Sequence, residues 1–184
     1  ITAGASVQYW YDKKTKILAF QGSVSISDWI YNFRFFPKAI KPYKDMKDIW
    51  YAHKGFTIMW KSVSNEIIKL IGEDDNLTIS GFSQGAALAT LATEDLRFRN
   101  KKVKLITFGS PRVFWGYIPK SVRERIKGEH YVARGDIVTH LPHLLMGYSH
   151  RGTVKRIGPG QLFITHFPHN PVKYEAALKD LESI

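Results

Sequence analysis

The chain has 184 residues, of which 44% are hydrophobic and 23% charged, an ordinary balance for one globular domain with a buried core. No stretch approaches the roughly 18 consecutive apolar residues of a membrane-spanning helix, no secretory signal is visible, and the lack of cysteine excludes disulfides, thiolate metal ligands and a cysteine nucleophile. The net charge of +11 favours anionic partners, either nucleic acid or a phosphate-bearing lipid surface, although a solvated positive surface is the simpler interpretation.

The N-terminal third predicts a β-hairpin, an irregular segment and a helix. Two short apolar runs flank the turn Asp12–Thr15 and are expected to form paired strands. Residues 22–54 predict no regular element, since two prolines interrupt them. From Gly55 to Ile71 apolar residues recur at helical spacing, so we expect an amphipathic helix there.

Beyond this helix, strands and helices are predicted to alternate. The expected elements are a strand at 77–80, a helix at 86–96, strands at 102–108 and 130–134 with a short helix at 121–128 between them, and a strand at 151–158. Asn170 suits the N-cap of a closing helix, with Pro171 at its first position. This alternation favours an α/β fold with a largely parallel central sheet.

The stretch "LTISGFSQGAALATLA", residues 77–92, places a serine between two glycines where a strand is predicted to join a helix. This is the context of a nucleophile elbow, a sharp turn that presents the serine hydroxyl near the positive end of a helix dipole. Gly81 and Gly85 would permit the turn, because a Cβ at either position would collide with a neighbouring strand or helix. Ser83 is therefore the candidate nucleophile, with an incidental turn serine as the alternative.

A nucleophilic serine needs a base to accept its proton and an acid to orient that base. Asp136 follows an apolar strand and a glycine, and it fits the acid in the order Ser, acid, His that such hydrolases use. His140 and His143 would extend from the same loop as this aspartate rather than meet the serine from another side. His150 is expected to be packed or hydrogen-bonded locally.

The two remaining histidines after Asp136 lie just before the last predicted helix. Either His166 or His169 could reach the serine from that loop. Local context favours His169, because it immediately precedes the expected N-cap.

Several motifs resemble the class 3 lipases, the fungal-type triacylglycerol lipase family. They are "AFQGSVSISDWIYNF", "AHKGF", "GFSQGAALATLA", "TFGSPRV", and "GDIVTHLP" followed by "GYSHRGT". The resemblance runs from about Ile17 to Tyr174. It implies an α/β-hydrolase fold, with a mostly parallel central sheet, helices on both faces and an N-terminal β-hairpin, as a single domain over residues 1–184. The elbow alone is also similar to the acyl-protein thioesterases, but the other motifs argue against that branch.

Carried over residue by residue, the resemblance implies Ser83 as nucleophile, Asp136 as acid and His169 as base. Ser23 matches the oxyanion-hole residue, and the backbone N–H of Gln84 would be the second donor. The segment 25–31 overlaps the position of the family's lid, with a buried segment as the alternative. The candidates for lid or acyl-chain contact are Trp29, Ile30 and Tyr31.

The sequence departs from the family pattern at a few positions. Phe82 stands where histidine is usual, Ala86 where a second glycine is usual, and Gln21 where arginine is common. None of these changes removes a catalytic atom. Phe114 and Trp115 replace the usual Gly-Asn pair and are expected to reshape the surface near the site.

These inferences predict a soluble serine carboxylic ester hydrolase that acts on lipid esters, acylglycerols or phospholipids, through an acyl-enzyme and without a metal or cofactor. The positive charge and the aromatic residues after Ser23 suggest an anionic membrane surface as a partner. An esterase or thioesterase on the same triad is one alternative. Another is a non-catalytic basic module that binds nucleic acid or membrane, but the chain has no recognised nucleic-acid motif, so no nucleic acid is expected.

Overall fold

The structure is a computed structural model of the chain and describes residues 7–22, 39–40, 48–158 and 169–182. Its strands are β1 (Tyr9–Asp12), β2 (Ile17–Phe20), β3 (Ala39–Ile40), β4 (Tyr51–His53), β5 (Leu77–Phe82), β6 (Val103–Phe108), β7 (Phe114–Trp115), β8 (Glu129–Ala133), β9 (Tyr148–Ser149) and β10 (Thr153–Ile157). Its helices are α1 (Lys54–Ile71), α2 (Gln84–Phe98), α3 (Lys120–Arg125) and α4 (Pro171–Glu182).

The larger sheet has six strands in the order β1-β2-β5-β6-β8-β10. β1 and β2 are antiparallel, and every other neighbouring pair of this sheet is parallel. The hairpin turn is held by Asp12, whose carboxylate accepts hydrogen bonds from the Lys14 N–H at 2.9 Å and the Thr15 hydroxyl at 2.7 Å. The predicted hairpin and mostly parallel sheet are confirmed.

Alternate residues of the central strands face two separate cores on opposite sides of this sheet. Leu77 and Ile79 of β5 belong to the larger core, which α1, α2 and α3 cover. Phe82 and Phe108, at the ends of β5 and β6, face the other side and pack with Tyr174 of α4. Helices therefore cover both faces, and the carboxyl ends of β5, β6 and β8 meet at one edge.

The predicted helices are present, with small shifts at their ends. The closing helix begins at Pro171, and the Val172 N–H donates to the side-chain oxygen of Asn170 at 2.9 Å, as the capping prediction requires. The short helix α3 ends at Arg125 rather than Gly128, because the chain at Gly128 already passes against Leu105, where a Cβ would lie 2.7 Å from that side chain. None of the described helices is both long and apolar enough to cross a membrane.

The prediction of no regular element in residues 22–54 is wrong. β3 and β4 lie in this segment and form a second, four-stranded sheet in the order β3-β4-β7-β9, with antiparallel pairing throughout. Its strands are only two or three residues long, and pairing with distant segments defines them. Phe114 of β7 is buried in the larger core and so does not shape the surface as expected, whereas the neighbouring Trp115 is partly exposed.

Candidate active site

Ser83 lies in a strained turn between β5 and α2. Its backbone angles are φ 55° and ψ −123°, a conformation that costs a non-glycine residue on the order of 1–3 kcal/mol. Its N–H donates to the Phe108 carbonyl at 2.9 Å, which fixes the turn against the end of β6. The hydroxyl is buried and has no hydrogen-bond partner among the described residues. The sharp turn expected from the sequence is therefore present, and it holds one polar side chain at the carboxyl edge of the sheet.

The glycines on both sides of Ser83 are required by close backbone approach. A Cβ on Gly85 would lie 2.3 Å from the Phe20 carbonyl oxygen, and one on Gly81 would lie 2.3 Å from the Gly85 carbonyl oxygen. The predicted collisions are thus confirmed. They show that α2 begins directly against β2 and β5, so that its first turn lies beneath the serine.

Asp136 lies on the loop after β8 and is fully buried. One carboxylate oxygen accepts the Val138 N–H at 2.9 Å, and the other accepts the Nδ1 hydrogen of His169 at 2.7 Å. A carboxylate can only accept, so this contact assigns the hydrogen of the imidazole to Nδ1 and leaves Nε2 as the nitrogen able to accept a proton. The structure thus brings together two of the predicted residues, which are separated by 33 positions in the chain.

His169 lies immediately before Asn170, the N-cap of α4, and its ring lies beside the residues next to Ser83. The ring stacks on Phe82, with centroids 4.7 Å apart and an interplanar angle of 24°. A Cβ on Gly109 would lie 3.0 Å from Cε1 of His169, and Gly109 has a φ of 59°. The imidazole therefore occupies a fitted slot between the end of β5 and the end of β6, at the edge where Ser83 emerges.

Tyr174 is a member of this cluster whose role the sequence did not indicate. Its buried hydroxyl donates to Oδ2 of Asp136 at 2.5 Å and accepts the Ala133 N–H at 3.0 Å. Burial, together with the negative charge of Asp136, raises the pKa of this hydroxyl, which therefore stays protonated as a donor. The signal in the sequence was the position of this aromatic residue a few residues after the predicted base, which gave no indication of its contact with Asp136.

The other histidines of this region have different partners. His140 is exposed, with Nδ1 3.0 Å from the Asp136 carbonyl oxygen, and His143 accepts the Leu145 N–H at 3.2 Å. His150 places Nε2 2.6 Å from the Thr139 carbonyl oxygen, and burial lowers its pKa to about 4. The expectation that His150 is hydrogen-bonded locally is confirmed.

The oxyanion and lid candidates are only partly covered by the structure. Gln84 is the first residue of α2, so its N–H has no intrahelical acceptor, and the Ser83 side chain does not cap it. Gly22 lies against the turn, because a Cβ added at this glycine would lie 3.3 Å from the Cβ of Ser83. The candidates outside the described residues are Ser23, Trp29, Ile30, Tyr31 and the alternative base His166. Within the described part of the chain, no group of three or more His, Asp or Glu side chains could hold a metal ion.

A strained serine between a parallel strand and a helix, with a buried carboxylate–imidazole pair at the same edge of the sheet, characterises the α/β-hydrolases. Within that class the chain belongs to the class 3 lipases: the family described as Lipase (class 3) matches residues 17–146. Solved structures agree with this assignment. A lipase from Rhizopus microsporus var. chinensis superposes with a TM-score of 0.70 at 25% identity, over 84% of this chain and 58% of the other. The mono- and diacylglycerol lipase of Aspergillus oryzae gives 0.66 at 29% identity, over 86% and 61%.

The relatives found by sequence are also named lipases. The secreted mono- and diacylglycerol lipase A of Penicillium cyclopium is 34% identical over 141 residues, which cover 73% of this chain and 45% of that protein. The lipase of Rhizomucor miehei is 32% identical over 155 residues, covering 76% of this chain and 41% of that protein. The chain thus spans less than half the length of these two relatives.

Proposed function

We propose that this chain is a serine carboxylic ester hydrolase that acts on lipid esters, acylglycerols in particular, through Ser83, His169 and Asp136. The observation that carries the proposal is the buried hydrogen bond of 2.7 Å between Asp136 and His169, formed beside the strained turn of Ser83. Burial of two ionisable side chains costs desolvation free energy, so such a pair is weak evidence for a purely stabilising role and favours a functional one. A base oriented by an acid next to a strained serine is such a role.

In the proposed reaction, Oγ of Ser83 attacks the ester carbonyl carbon while Nε2 of His169 takes the hydroxyl proton. Asp136 holds the ring through Nδ1 and stabilises the positive charge that forms on it. The imidazolium then returns its proton to the alcohol oxygen as the C–O bond breaks, which releases the alcohol and leaves an acyl-serine. Water, deprotonated by the same imidazole, attacks the acyl carbon; the imidazolium then returns that proton to Oγ of Ser83 as the acyl C–Oγ bond breaks, which releases the acid and restores the serine.

The carbonyl oxygen becomes an anion in the intermediate and needs donors. The N–H of Gln84 supports this role, because it begins α2 without an intrahelical acceptor and lies next to Ser83. We propose Ser23 as the second donor, and Gly22, its neighbour in the chain, lies against Ser83. Each such donor contributes roughly 3–4 kcal/mol to lowering the barrier in related hydrolases.

Lipid rather than water-soluble ester is favoured by an exposed apolar turn on the loop that carries Asp136. Leu145 is 91% exposed, and Leu144 and Met146 beside it are also exposed. The Trp115 indole N–H donates to the Met146 carbonyl at 2.8 Å, which braces this turn. Exposed apolar clusters of this kind mark contact surfaces, and two relatives in the family are named mono- and diacylglycerol lipases.

Replacement of the nucleophile tests the catalytic proposal. Ser83→Ala should lower kcat on a p-nitrophenyl ester by at least about 10³-fold and abolish labelling by a fluorophosphonate probe. Ser62→Ala is the matched control, since Ser62 is exposed on α1. His169→Ala should be far more damaging than His166→Ala. Retained turnover in Ser83→Ala would refute the nucleophile, and the reverse ranking of the histidines would refute the base.

The choice of substrate needs a separate experiment. Hydrolysis rates on neutral acylglycerol emulsions, phospholipid vesicles and a soluble short-chain ester should rank acylglycerols first. Anionic vesicles at low salt should be hydrolysed faster than neutral ones, with the difference lost at high salt, because the +11 charge attracts them electrostatically. Equal rates on all vesicles at both salt concentrations would contradict charge-driven recruitment while leaving the catalytic proposal intact.

A further inference from the structure

A basic cleft lies at the opposite edge of the larger sheet from Ser83. It has a volume of about 440 Å³ and is bounded by α3 and by the amino ends of β8 and β10. Its lining residues are Lys120, Arg123, Glu124, Lys127, Gly128, Arg151, Gly152 and Thr153. Four of these side chains are cationic and one is acidic, so the cleft carries a net positive charge.

The single acidic residue of the cleft neutralises only one of the cations. Glu124 forms an ion pair with Lys127 one helical turn away, and that contact lowers the pKa of its carboxyl group. Arg123 and Arg151 have no ion-pair partner among the residues that the structure describes. Two guanidinium groups in one cleft repel each other, and an anion between them would relieve this repulsion.

Arg151 is partly buried and its hydrogen-bonding capacity is not filled. Its Nε is inaccessible to solvent and has no hydrogen-bond partner within the described residues, and its Nη2 makes only a long contact of 3.4 Å with the Gly116 carbonyl oxygen. Burial lowers the pKa of this guanidinium, and the charge of Arg123 adds to the effect. A buried donor without an acceptor is costly. Because Arg151 lines the cleft, an oxyanion there can accept from the part of the guanidinium group that faces the cleft.

We propose that this cleft binds a phosphate group, held by Arg123 and Arg151 and assisted by Lys120. Guanidinium groups match the oxygens of phosphate with paired hydrogen bonds, whereas the lysine ammonium adds a mobile point charge. Gly152 has a φ of 104°, and a Cβ there would lie 2.7 Å from Nε2 of His130, so only glycine lets the chain pass this close to His130 at the start of β10.

The cleft is separate from the proposed catalytic centre. Gly128 precedes β8, whereas Asp136 follows it, and the five residues of this strand span roughly 15 Å. The proposal therefore stands whether or not Ser83 is a nucleophile. It also gives part of the +11 charge a definite place in the molecule.

Two sources could supply the phosphate group. One is a free phosphate or small phosphorylated molecule, and the other is the headgroup of a lipid. The neighbouring surface is compatible with the lipid source, because Gly116, which contacts Arg151, lies between Trp115 and Tyr117, and Tyr117 is 76% exposed. Aromatic residues of this type are common where proteins meet a lipid surface. The experiment must therefore include both sources.

The first arm is a calorimetric titration of inorganic phosphate into the whole chain at constant ionic strength. We expect saturable binding at one site, weakened at least about tenfold in Arg123→Gln and in Arg151→Gln. Arg156→Gln is the matched control. It removes the same charge from an exposed position on β10 that does not line the cleft. Arg123 is exposed, so its variant tests the site even if the substitution at Arg151 weakens the fold.

The second arm measures co-sedimentation with vesicles of phosphatidylcholine, with and without phosphatidic acid, whose phosphate monoester is exposed. Binding that requires phosphatidic acid and is lost in Arg123→Gln, but not in Arg156→Gln, would identify the headgroup as a source. Phosphate binding without such vesicle binding would identify a free phosphate. Failure to bind in both arms, or equal weakening in the control variant, would overturn the proposal.

Discussion

The hydroxyl of Tyr174 is predicted to hold Asp136 in place, and Tyr174→Phe removes that hydroxyl alone. The hydroxyl makes two buried hydrogen bonds, donating to Asp136 at 2.5 Å and accepting from the Ala133 N–H at 3.0 Å. Loss of a hydrogen bond to a charged group costs about 1.5–3 kcal/mol, and an unsatisfied buried N–H costs about 1–3 kcal/mol more. The free energy of unfolding should therefore fall by about 3–5 kcal/mol, which lowers Tm by on the order of 10 °C in a chain of this size.

Catalysis should suffer as well, because Asp136 orients the imidazole of His169. Small displacements of a reacting group reduce kcat steeply, so we expect kcat on a p-nitrophenyl ester to fall about tenfold in Tyr174→Phe while KM changes little. The pKa of the Tyr174 hydroxyl is raised above its ordinary value by burial and by Asp136. The contribution of this hydroxyl to the free energy of unfolding should therefore be constant below about pH 10 and be lost only as the pH rises further.

Tyr131→Phe is the matched control for this experiment. Its hydroxyl also donates to a carboxylate, that of Glu129 at 3.0 Å, but the pair is partly exposed to solvent. Its loss should cost less than about 1 kcal/mol and leave kcat unchanged. If thermal denaturation gave the same shift for both variants, or if kcat were unaffected in Tyr174→Phe, the inferred role of the buried hydroxyl would be wrong.

Three further predictions follow from the same geometry. Gly85→Ala should lower the free energy of unfolding in urea by about 3 kcal/mol or more, because its Cβ would lie 2.3 Å from the Phe20 carbonyl oxygen. Gly116→Ala, whose Cβ meets nothing within 4 Å, should lower it by only about 1–2 kcal/mol, the cost of a φ of 66°. Equal losses in the two variants would contradict this. Asp136→Asn should keep the fold by circular dichroism and lower kcat by on the order of 10³–10⁴-fold, and a small loss would show that another acid serves. Burial lowers the pKa of His150 to about 4, so its imidazole is protonated in the unfolded chain, but not in the fold, as the pH falls from about 6.5 to 4, and the fold loses stability. The difference in free energy of unfolding between wild type and His150→Asn should therefore narrow over that range, by up to about 3 kcal/mol. A constant difference would refute the lowered pKa of His150.

The parts of the fold that could be predicted are those in which local sequence carries the cause. The hairpin follows from a turn that Asp12 stabilises through its immediate neighbours. The closing helix begins where Asn170 and Pro171 place it, since capping needs only residues within one turn. By contrast, β7 and β9 have two residues each and exist because they pair with each other across more than thirty positions. A pattern of two residues has no periodicity to detect.

The same distinction applies to the candidate site. The elbow around Ser83 could be predicted because glycine, serine and glycine lie together in the chain, and the position of Asp136 at the same edge could be predicted from its place after a strand. The contacts of Tyr174 could not, because the hydroxyl reaches Asp136 across 38 positions and only the packing of α4 against the sheet brings them together. Ser23 and the lid candidates lie outside the described residues, so their roles stay predictions.

Phe82 shows how a departure from the family pattern can acquire a role. The sequence identified it only as a replacement for the usual histidine that removes no catalytic atom. As the last residue of β5, Phe82 faces the side of the sheet that α4 covers, since strand residues alternate between faces. There its ring stacks on His169 and meets the edge of Tyr174 at 5.5 Å. The residue before the nucleophile therefore packs against the proposed base, so the elbow positions the imidazole as well as the serine.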